Sequence, residues 1–396
     1  MVKKLICLMI LLGTVLSVSC SGGYLPPNTT VSVPDFEIPD PLETPPAQIT
    51  APVDTSYYAV PDGTYVIDGN KESVLDELYV LLEKKAEYVC VKNYIPIGLS
   101  DICAMPYSVF WLDDYGCKTT VGHLMGETVD SPIQLYRFRY FDDSYDDIEK
   151  MKEEIDIKAA EIASLVPEDA DVFEKALIVH DELIRRVTFD DSVSLPHIYD
   201  TYGALVNGDA VCSGYACAFS HIMDMLGEKC PIVLSDSHAW NSIQARTSEE
   251  FIDVTWDDPD MKDKKGKDYI EHAYFGLTRE EVEKTDFHAI EGGADSYTDY
   301  VADPIVMNYY RHEGYMAEEY DTKFLISVFK KQLKSGSNVL TVRFENEEDF
   351  LKAKALFDGD GSSMNRIVKK AGYKKVYYYS FDDVLHVVCI KINPDL

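Results

Sequence analysis

Hydrophobic residues recur at steps of three and four positions along several stretches of the chain, which is the spacing of one buried helical face. These stretches predict helices over 72–85, 146–166, 169–187, 211–227, 323–336, 348–357 and 363–372. Acidic residues at the start of 169–187 are typical of a helix N-terminus, and Gly227 is typical of a helix end. The chain therefore contains strongly amphipathic helices in its central and C-terminal parts.

Runs rich in β-branched and aromatic residues alternate with these helices and predict strands. The runs lie at 87–92, 107–112, 117–125, 133–141, 230–234, 238–245, 251–256, 338–344, 376–381 and 384–392. We expect an α+β fold with a small α/β module over 57–145, a central domain over 146–321 and a second small α/β module over 322–396. RTSEE, between 238–245 and 251–256, predicts the turn of a hairpin.

The first 56 residues show a different pattern. Lys3 and Lys4 precede an apolar run that is too short for a membrane span, which predicts an export signal over 1–20. Small residues before Cys20 resemble a lipoprotein signal, which implies a lipid on that thiol, whereas ordinary secretion with cleavage nearby is the alternative. Eight prolines in 21–56 predict a disordered tether. We expect the protein to be at the cell surface, anchored to the bacterial cell membrane by lipid.

Charge and cysteine usage narrow the possible partners. The formal net charge of −32 over 396 residues argues against nucleic acid and against an anionic membrane surface, so we expect membrane contact only through Cys20. The nine cysteines show no paired metal-ligand spacing, and no nucleotide-binding loop is present. We therefore predict no metal and no cofactor, while disulfides and buried thiols stay equally open for the other cysteines.

GDAVCSGYACAF (208–219) places Cys212 where a helix is predicted to begin. A thiol at that point meets unpaired backbone N–H groups and the positive end of the helix dipole, and both favour the nucleophilic thiolate. Gly208 and Gly214 on either side permit a close approach of backbone or substrate. Cys217 lies more than one turn further on, so we expect it to pack rather than react.

A nucleophilic thiol needs a base, and the base needs a group that orients it. His238 in SDSHAWN and Asp253 in FIDVTWDDP lie on the two arms of the predicted hairpin, roughly opposite each other. Cross-strand neighbours lie about 5 Å apart, so Asp253 is able to hold the imidazole in one tautomer. His180 is predicted to be a buried structural histidine, and Asp257 with Asp258 is predicted to form a turn.

Three ordered motifs, TYGALVNGDAVCSGYACAF, SDSHAWN and FIDVTWDDP, resemble the transglutaminase-like superfamily over about 170–275. The resemblance implies a papain-like core, with Cys212 at a helix start packed on an antiparallel sheet that carries His238 and Asp253. It implies that Cys212 is the nucleophile, His238 the base and Asp253 its orienter. The backbone N–H of Cys212 would meet the oxyanion, with Tyr202 or Asn207 as candidates for a second donor. We expect Trp240 to flank the site.

The resemblance leaves the reaction subclass open. Hydrolysis of amide bonds in proteins or peptides, as by a cysteine peptidase, is the first hypothesis, and protein crosslinking by transamidation is the next. A surface binding or scaffold protein with an unused Cys-His-Asp set is the alternative of another class. The oligomeric state, the particular substrate and the role of the flanking modules stay open.

Overall fold

The structure is a computed structural model of the chain. It describes chiefly residues 64–92, 132–140, 148–190, 197–235, 237–245, 248–286, 307–358, 361–373 and 378–392, with short stretches at 97, 101–102, 105, 107, 112–114, 120–123, 192, 288 and 376. The predicted signal (1–20), the tether (21–56) and Cys20 lie outside the described residues. Among the described residues, no helix has the length and hydrophobicity needed to traverse a lipid bilayer.

The chain divides into two compact units, 1–153 and 154–396. In the first, strand β1 (Tyr65–Ile67) leads into helix α1 (Lys71–Glu83), where the Asn70 side chain accepts from the Ser73 N–H at 2.9 Å as an N-cap. The other strands of this unit are β2 (Tyr88–Lys92), β3 (Leu112–Asp114), β4 (Thr120–His123), β5 (Pro132–Arg137) and β6 (Arg139–Tyr140). A mixed sheet has the order β1-β2-β5-β4, and β3 pairs with β6.

The second unit begins with the remainder of α2 (Ile148–Ala163) and continues with α3 (Val172–Arg186). Asp171 and Glu174 form a reciprocal capping box that starts α3, as the acidic residues predicted. Strand β7 (Thr188–Phe189) pairs in parallel with β8 (Asp209–Ala210), and a π-helical turn (Gly203–Asn207) precedes β8. These elements lead directly into the helix that carries Cys212.

Helix α4 (Cys212–Met225) packs against an antiparallel sheet of four strands. The strands are β9 (Ile232–Leu234), β10 (Ala239–Ala245), β11 (Ser248–Ile252) and β12 (Phe275–Leu277), in the order β12-β11-β10-β9. Asn241 on β10 donates from Nδ2 to the Ala216 carbonyl of α4 at 3.0 Å, which fixes the helix on the sheet. The predicted helix stop is confirmed, because Gly227 follows α4 with a φ of +82°.

One strand prediction is wrong. Residues 251–256 were expected to continue as a strand, but β11 ends at Ile252 and a short helix, α5 (Val254–Asp257), follows. The Asp253 side chain accepts from the Trp256 N–H at 3.0 Å, so it caps the helix. Local capping therefore overrides the alternation of apolar residues at this point.

The remaining elements are α6 (Arg279–Val282), α7 (Tyr309–His312), β13 (Met316–Ala317), α8 (Thr322–Lys334), β14 (Val339–Phe344), α9 (Glu347–Lys354), α10 (Ser362–Ala371), β15 (Tyr378–Asp382) and β16 (Val387–Lys391). The last four strands form a sheet of order β13-β14-β16-β15. One cluster of buried hydrophobic residues includes Trp240 and Phe251 of the central sheet together with Val342 and Val388 of this one. A separate domain over 322–396 stays a prediction.

Candidate active site

Cys212 is the first residue of α4 and is 5% exposed. The backbone at Val211, just before it, is extended, so the helix begins directly at Cys212. A Cβ atom on Gly214 would lie 3.0 Å from the carbonyl oxygen of Ile198 and 3.1 Å from that of Asp200. Glycine is thus required for the 198–200 backbone to pack against the first turn of the helix.

His238 and Asp253 meet at the end of the hairpin. Nε2 of His238 lies 2.5 Å from Oδ2 of Asp253, and the side chains are 1% and 2% exposed. Strand pairing matches Asn241 with Ile252, so the same register would place Asp253 opposite Trp240 rather than His238. The bond is therefore diagonal across the hairpin. Because Nε2 faces the carboxylate, Nδ1 is the ring nitrogen suited to exchange a proton with a thiol.

Asp253 is held from several directions at once. Its backbone N–H donates to the Tyr274 carbonyl at 3.0 Å, while its Oδ1 caps α5 through the Trp256 N–H. Oδ2 is left to bind His238. The carboxylate is consequently fixed by the junction of strand and helix before any contact with the imidazole is counted.

A second histidine, His288, shares the same carboxylate oxygen. Its Nε2 lies 2.8 Å from Oδ2 of Asp253, and its side chain is fully buried. Burial by itself would raise the pKa of Asp253, but the charges and hydrogen bonds of His238 and His288 outweigh it and hold that pKa well below its usual range. Asp253 therefore stays ionised. His288 lies 35 residues after Asp253, and no pattern in the sequence pointed to it.

Aromatic rings enclose the two histidines. The Trp240 ring stacks on His238 with centroids 5.7 Å apart, and Trp256 lies 6.0 Å from His238. Tyr274 stacks on His288 at 5.5 Å. Trp240 is 1% exposed, and its Nε1 is buried without a hydrogen-bond partner among the described residues. The sequence predicts Trp240 beside the site, and in the structure its ring lies against that of His238.

The two candidates for a second oxyanion donor are placed less favourably. The Tyr202 hydroxyl donates to Oε2 of Glu154 at 2.7 Å, so its proton is already engaged. Asn207 is the last residue of the π-helical turn and is exposed. The hydrogen bond of Tyr202 and the exposure of Asn207 both disfavour a role at a buried oxyanion.

A second histidine–carboxylate network lies on α3. His180 is fully buried, with Nδ1 3.1 Å from Oδ1 of Asp181 and Nε2 3.2 Å from Oδ2 of Asp257. Nε2 of His272 lies 2.9 Å from the same Asp181 oxygen. Burial opposes the charge on His180, but the bonds and charges of both carboxylates outweigh it and raise the pKa of His180 to about 9. His180 is thus a buried, bonded structural histidine.

Two groups of side chains each bring three possible metal-ligating atoms within 4.8 Å of one another. The groups are His238 with Asp253 and His288, and His180 with Asp181 and His272. In both groups the close atoms are histidine nitrogens facing a carboxylate oxygen at hydrogen-bond distance. Hydrogen bonds between these nitrogen and oxygen atoms explain why they lie so close together, so the geometry does not require a metal ion.

The described cysteines, namely Cys90, Cys212, Cys217, Cys230 and Cys389, are all buried, and none of them forms a disulfide. Burial raises the pKa of Cys230 and of Cys389 above that of an ordinary thiol, and it raises that of Cys90 to about 12. Such thiols are inert at neutral pH. Among these five described cysteines, Cys212 alone begins a helix, and that helix packs on strand β10, next to the His238–Asp253 pair.

Comparison with known proteins gives weak matches. No protein-family model and no curated protein matches the sequence. A solved TGase structure has 13% identity to the chain, covering 49% of it and 60% of its own chain, with a TM-score of 0.23. Menin, in a structure showing its binding site for Mixed Lineage Leukemia protein, has 24% identity, covering 31% and 29%, with a TM-score of 0.23.

A candidate protease from Parabacteroides distasonis has 7% identity, covering 41% of this chain and 39% of its own, with a TM-score of 0.20. The chain thus spans less than two thirds of each of these proteins. Likenesses this weak transfer no activity to the chain, so the chemistry has to be argued from its own side chains.

Proposed function

We propose that the chain is a transglutaminase-like thiol acyl-transfer enzyme that cleaves amide bonds of proteins or peptides, as a cysteine peptidase does. One observation carries the proposal: a buried, hydrogen-bonded His238–Asp253 pair lies at the end of a hairpin whose strand β10 packs on the helix that begins at Cys212. A buried carboxylate that stays ionised beside a histidine orients the ring and stabilises its protonated form.

This geometry supports one role for each group in the proposed reaction. Nδ1 of His238 takes the thiol proton, and Sγ of Cys212 attacks the carbonyl carbon to form a tetrahedral oxyanion. The backbone N–H of Cys212, at the start of the helix, donates to that oxyanion. His238 then gives its proton to the leaving nitrogen as the C–N bond breaks, and a thioester remains on Cys212.

Water completes the cycle. It gives a proton to His238 as its oxygen attacks the thioester carbon. Collapse of the second oxyanion breaks the C–S bond and releases a carboxylic acid, and His238 returns its proton to Sγ of Cys212, which restores the thiol. Asp253 stays ionised throughout and orients the ring. The groups needed for the cycle are all side chains or backbone of this chain.

Capture of the thioester by an amine is the second candidate. Its supporting observation is burial, because Cys212 is 5% exposed and His238 is 1% exposed, which shelters the reacting atoms from water. Incubation with a glutamine-containing peptide and a fluorescent primary amine separates the two outcomes. Incorporation of the amine into the peptide supports crosslinking, whereas release of shorter peptides alone supports hydrolysis.

The first test is the rate of Cys212 alkylation by iodoacetamide against pH, read by mass spectrometry of the labelled peptide. We expect fast labelling of Cys212 well below the ordinary thiol pKa of about 8.5, lost in His238→Ala. Cys217, buried in the same helix, is the internal control and should label slowly. Labelling of Cys212 no faster than an ordinary thiol would contradict the enzyme proposal and favour a scaffold with an unused site.

Export and lipid anchoring form a separate proposal that rests on residues 1–20. The basic Lys3 and Lys4, the apolar run and Cys20 support it. Expression in a bacterial host with a radiolabelled fatty acid should label the wild-type chain and leave Cys20→Ser unlabelled. Equal absence of label in both proteins, with the chain found in the medium, would favour ordinary secretion instead.

A further inference from the structure

Both ring nitrogens of His288 have hydrogen-bond partners. Its Nε2 faces Oδ2 of Asp253 at 2.8 Å, and its Nδ1 faces the Asp286 carbonyl oxygen at 2.8 Å. Nδ1 also lies 2.9 Å from Oγ1 of Thr285, whose own proton is donated to the Val282 carbonyl at 2.6 Å. A carbonyl and an ionised carboxylate only accept hydrogen bonds. Both ring nitrogens of His288 therefore face atoms that accept hydrogen bonds, an arrangement that favours a doubly protonated ring.

The surroundings of His288 suit a cation. The side chain is fully buried, and Asp253 supplies the counter-charge. The rings of Trp240, Trp256 and Tyr274 lie 4.8, 5.0 and 5.5 Å from it, and aromatic rings attract a cation at such distances.

A charge on His288 would act on His238 through space and through the shared carboxylate. The two imidazole centroids are 5.0 Å apart, and both Nε2 atoms face the same Oδ2. A histidine beside a lone carboxylate holds its proton tightly, because the ion pair is stabilised. A second cation on that carboxylate offsets the effect and repels a proton on His238.

Few other charges face these rings among the described residues. The Tyr274 phenol is engaged with Oδ2 of Asp382 at 3.0 Å, and the backbone N–H of Tyr274 donates to Asp257. Asp257 in turn is bonded to His180. Those acids have partners of their own, which leaves Asp253 as the carboxylate hydrogen-bonded to both His238 and His288.

We propose that His288 is a positioning residue for the reaction assigned above: it fixes Asp253 and, as the imidazolium that its two hydrogen-bond acceptors favour, weakens the hold of His238 on its proton. The inference rests on the proposed function, because it gives His238 the work of returning a proton to the leaving nitrogen. An imidazolium that releases its proton readily is the better general acid. The shared carboxylate thus keeps the ring oriented without making it too strong a base.

The test compares pH profiles of Cys212 alkylation in wild type and in His288→Gln. The neutral amide can still donate to Asp253 but carries no charge. We expect the alkaline limb, where the His238 imidazolium loses its proton, to move up by about 1 pH unit or more. His312→Gln, a partly exposed histidine outside the site, is the matched control and should leave the profile unchanged.

Two results would overturn the inference. A purely structural role would lower the rate in His288→Gln at every pH without moving the limb. NMR of ¹⁵N-histidine-labelled protein gives a reading that does not depend on thiol reactivity, and finding His288 with a single ring proton at neutral pH would also overturn it. If wild-type Cys212 is not fast at all, the proposed function fails, whereas the NMR reading still decides the protonation of His288.

Discussion

The buried network around His180 allows a sharp test by His180→Phe. Both imidazole nitrogens face carboxylates, Asp181 at 3.1 Å and Asp257 at 3.2 Å, and His180 and Asp257 are fully buried. Phenylalanine keeps a planar ring but removes both donors. Among the described residues, the Asp257 carboxylate would then keep the N–H of Tyr274 as its hydrogen-bond donor, at 3.0 and 3.2 Å from its two oxygens. Breaking one side of a buried pair costs about 3–5 kcal/mol, so we expect a loss in that range.

The loss should depend on pH in a defined direction. The pKa of His180 is raised from 6.5 to about 9 in the folded chain. A group with a raised pKa stabilises the fold fully below its unfolded value and loses that contribution as pH rises through the folded value. At about 1.4 kcal/mol per pKa unit, this gap corresponds to about 3 kcal/mol. The difference in unfolding free energy between wild type and His180→Phe should therefore be largest near pH 6 and shrink through pH 9.

Urea denaturation followed by tryptophan fluorescence is the assay, because Trp240 and Trp256 both lie in the second unit. The double variant His180→Phe with Asp257→Asn is the matched control. The asparagine Oδ1 still accepts from Tyr274 but carries no charge, so about half of the loss should return. A loss below about 1 kcal/mol, or a gap that widens as pH rises, would refute the reasoning.

Two further substitutions test contacts of helix α4, which begins at Cys212. Gly214→Ala places a Cβ 2.8 Å from the Cβ of Ala210 and 3.0 Å from the Ile198 oxygen, so the first turn of α4 must shift. We expect a cost of about 1–3 kcal/mol and alkylation of Cys212 slowed about tenfold or more, and an unchanged rate would contradict this. Tyr215→Phe removes a hydroxyl that donates to Oδ2 of Asp258 at 2.8 Å; we expect a loss of about 1.5–3 kcal/mol in urea denaturation, and wild-type stability would show that this bond contributes nothing net.

Local signals in the sequence predicted many of the elements around the site. The acids at Asp171 and Glu174 marked the start of α3, and Gly227 marked the end of α4, because capping chemistry is decided within a few residues. The hairpin of β10 and β11 was predicted from alternation and a turn, but the predicted turn is too long, because Ser248–Glu250 already belong to β11. These features depend on neighbours in the chain, so one sequence is enough to predict them.

Features that depend on distant contacts were not predictable in the same way. His288 reaches Asp253 from 35 residues away, in a part of the chain without helical or strand periodicity. Tyr202 is a candidate for the second oxyanion donor from the sequence, yet its hydroxyl donates to Glu154 on α2, 48 residues away. The strand predicted through Asp253 ended early because its side chain found a partner three residues ahead, at Trp256.

The surroundings of Asp253 restrict which amino acids can occupy position 253. Oδ1 of Asp253 caps the helix that follows strand β11, and Oδ2 lies at hydrogen-bond distance from two histidines. Asparagine would satisfy the helix but oppose the imidazole donors with an amide that donates. Glutamate would match the charge, but its longer side chain would lift the carboxylate away from the N–H it caps. Aspartate is the one amino acid whose side chain is short enough to cap this helix and also carries a negative charge to face the histidines. Natural variation at this position should therefore be narrower than at Cys217 or Tyr202.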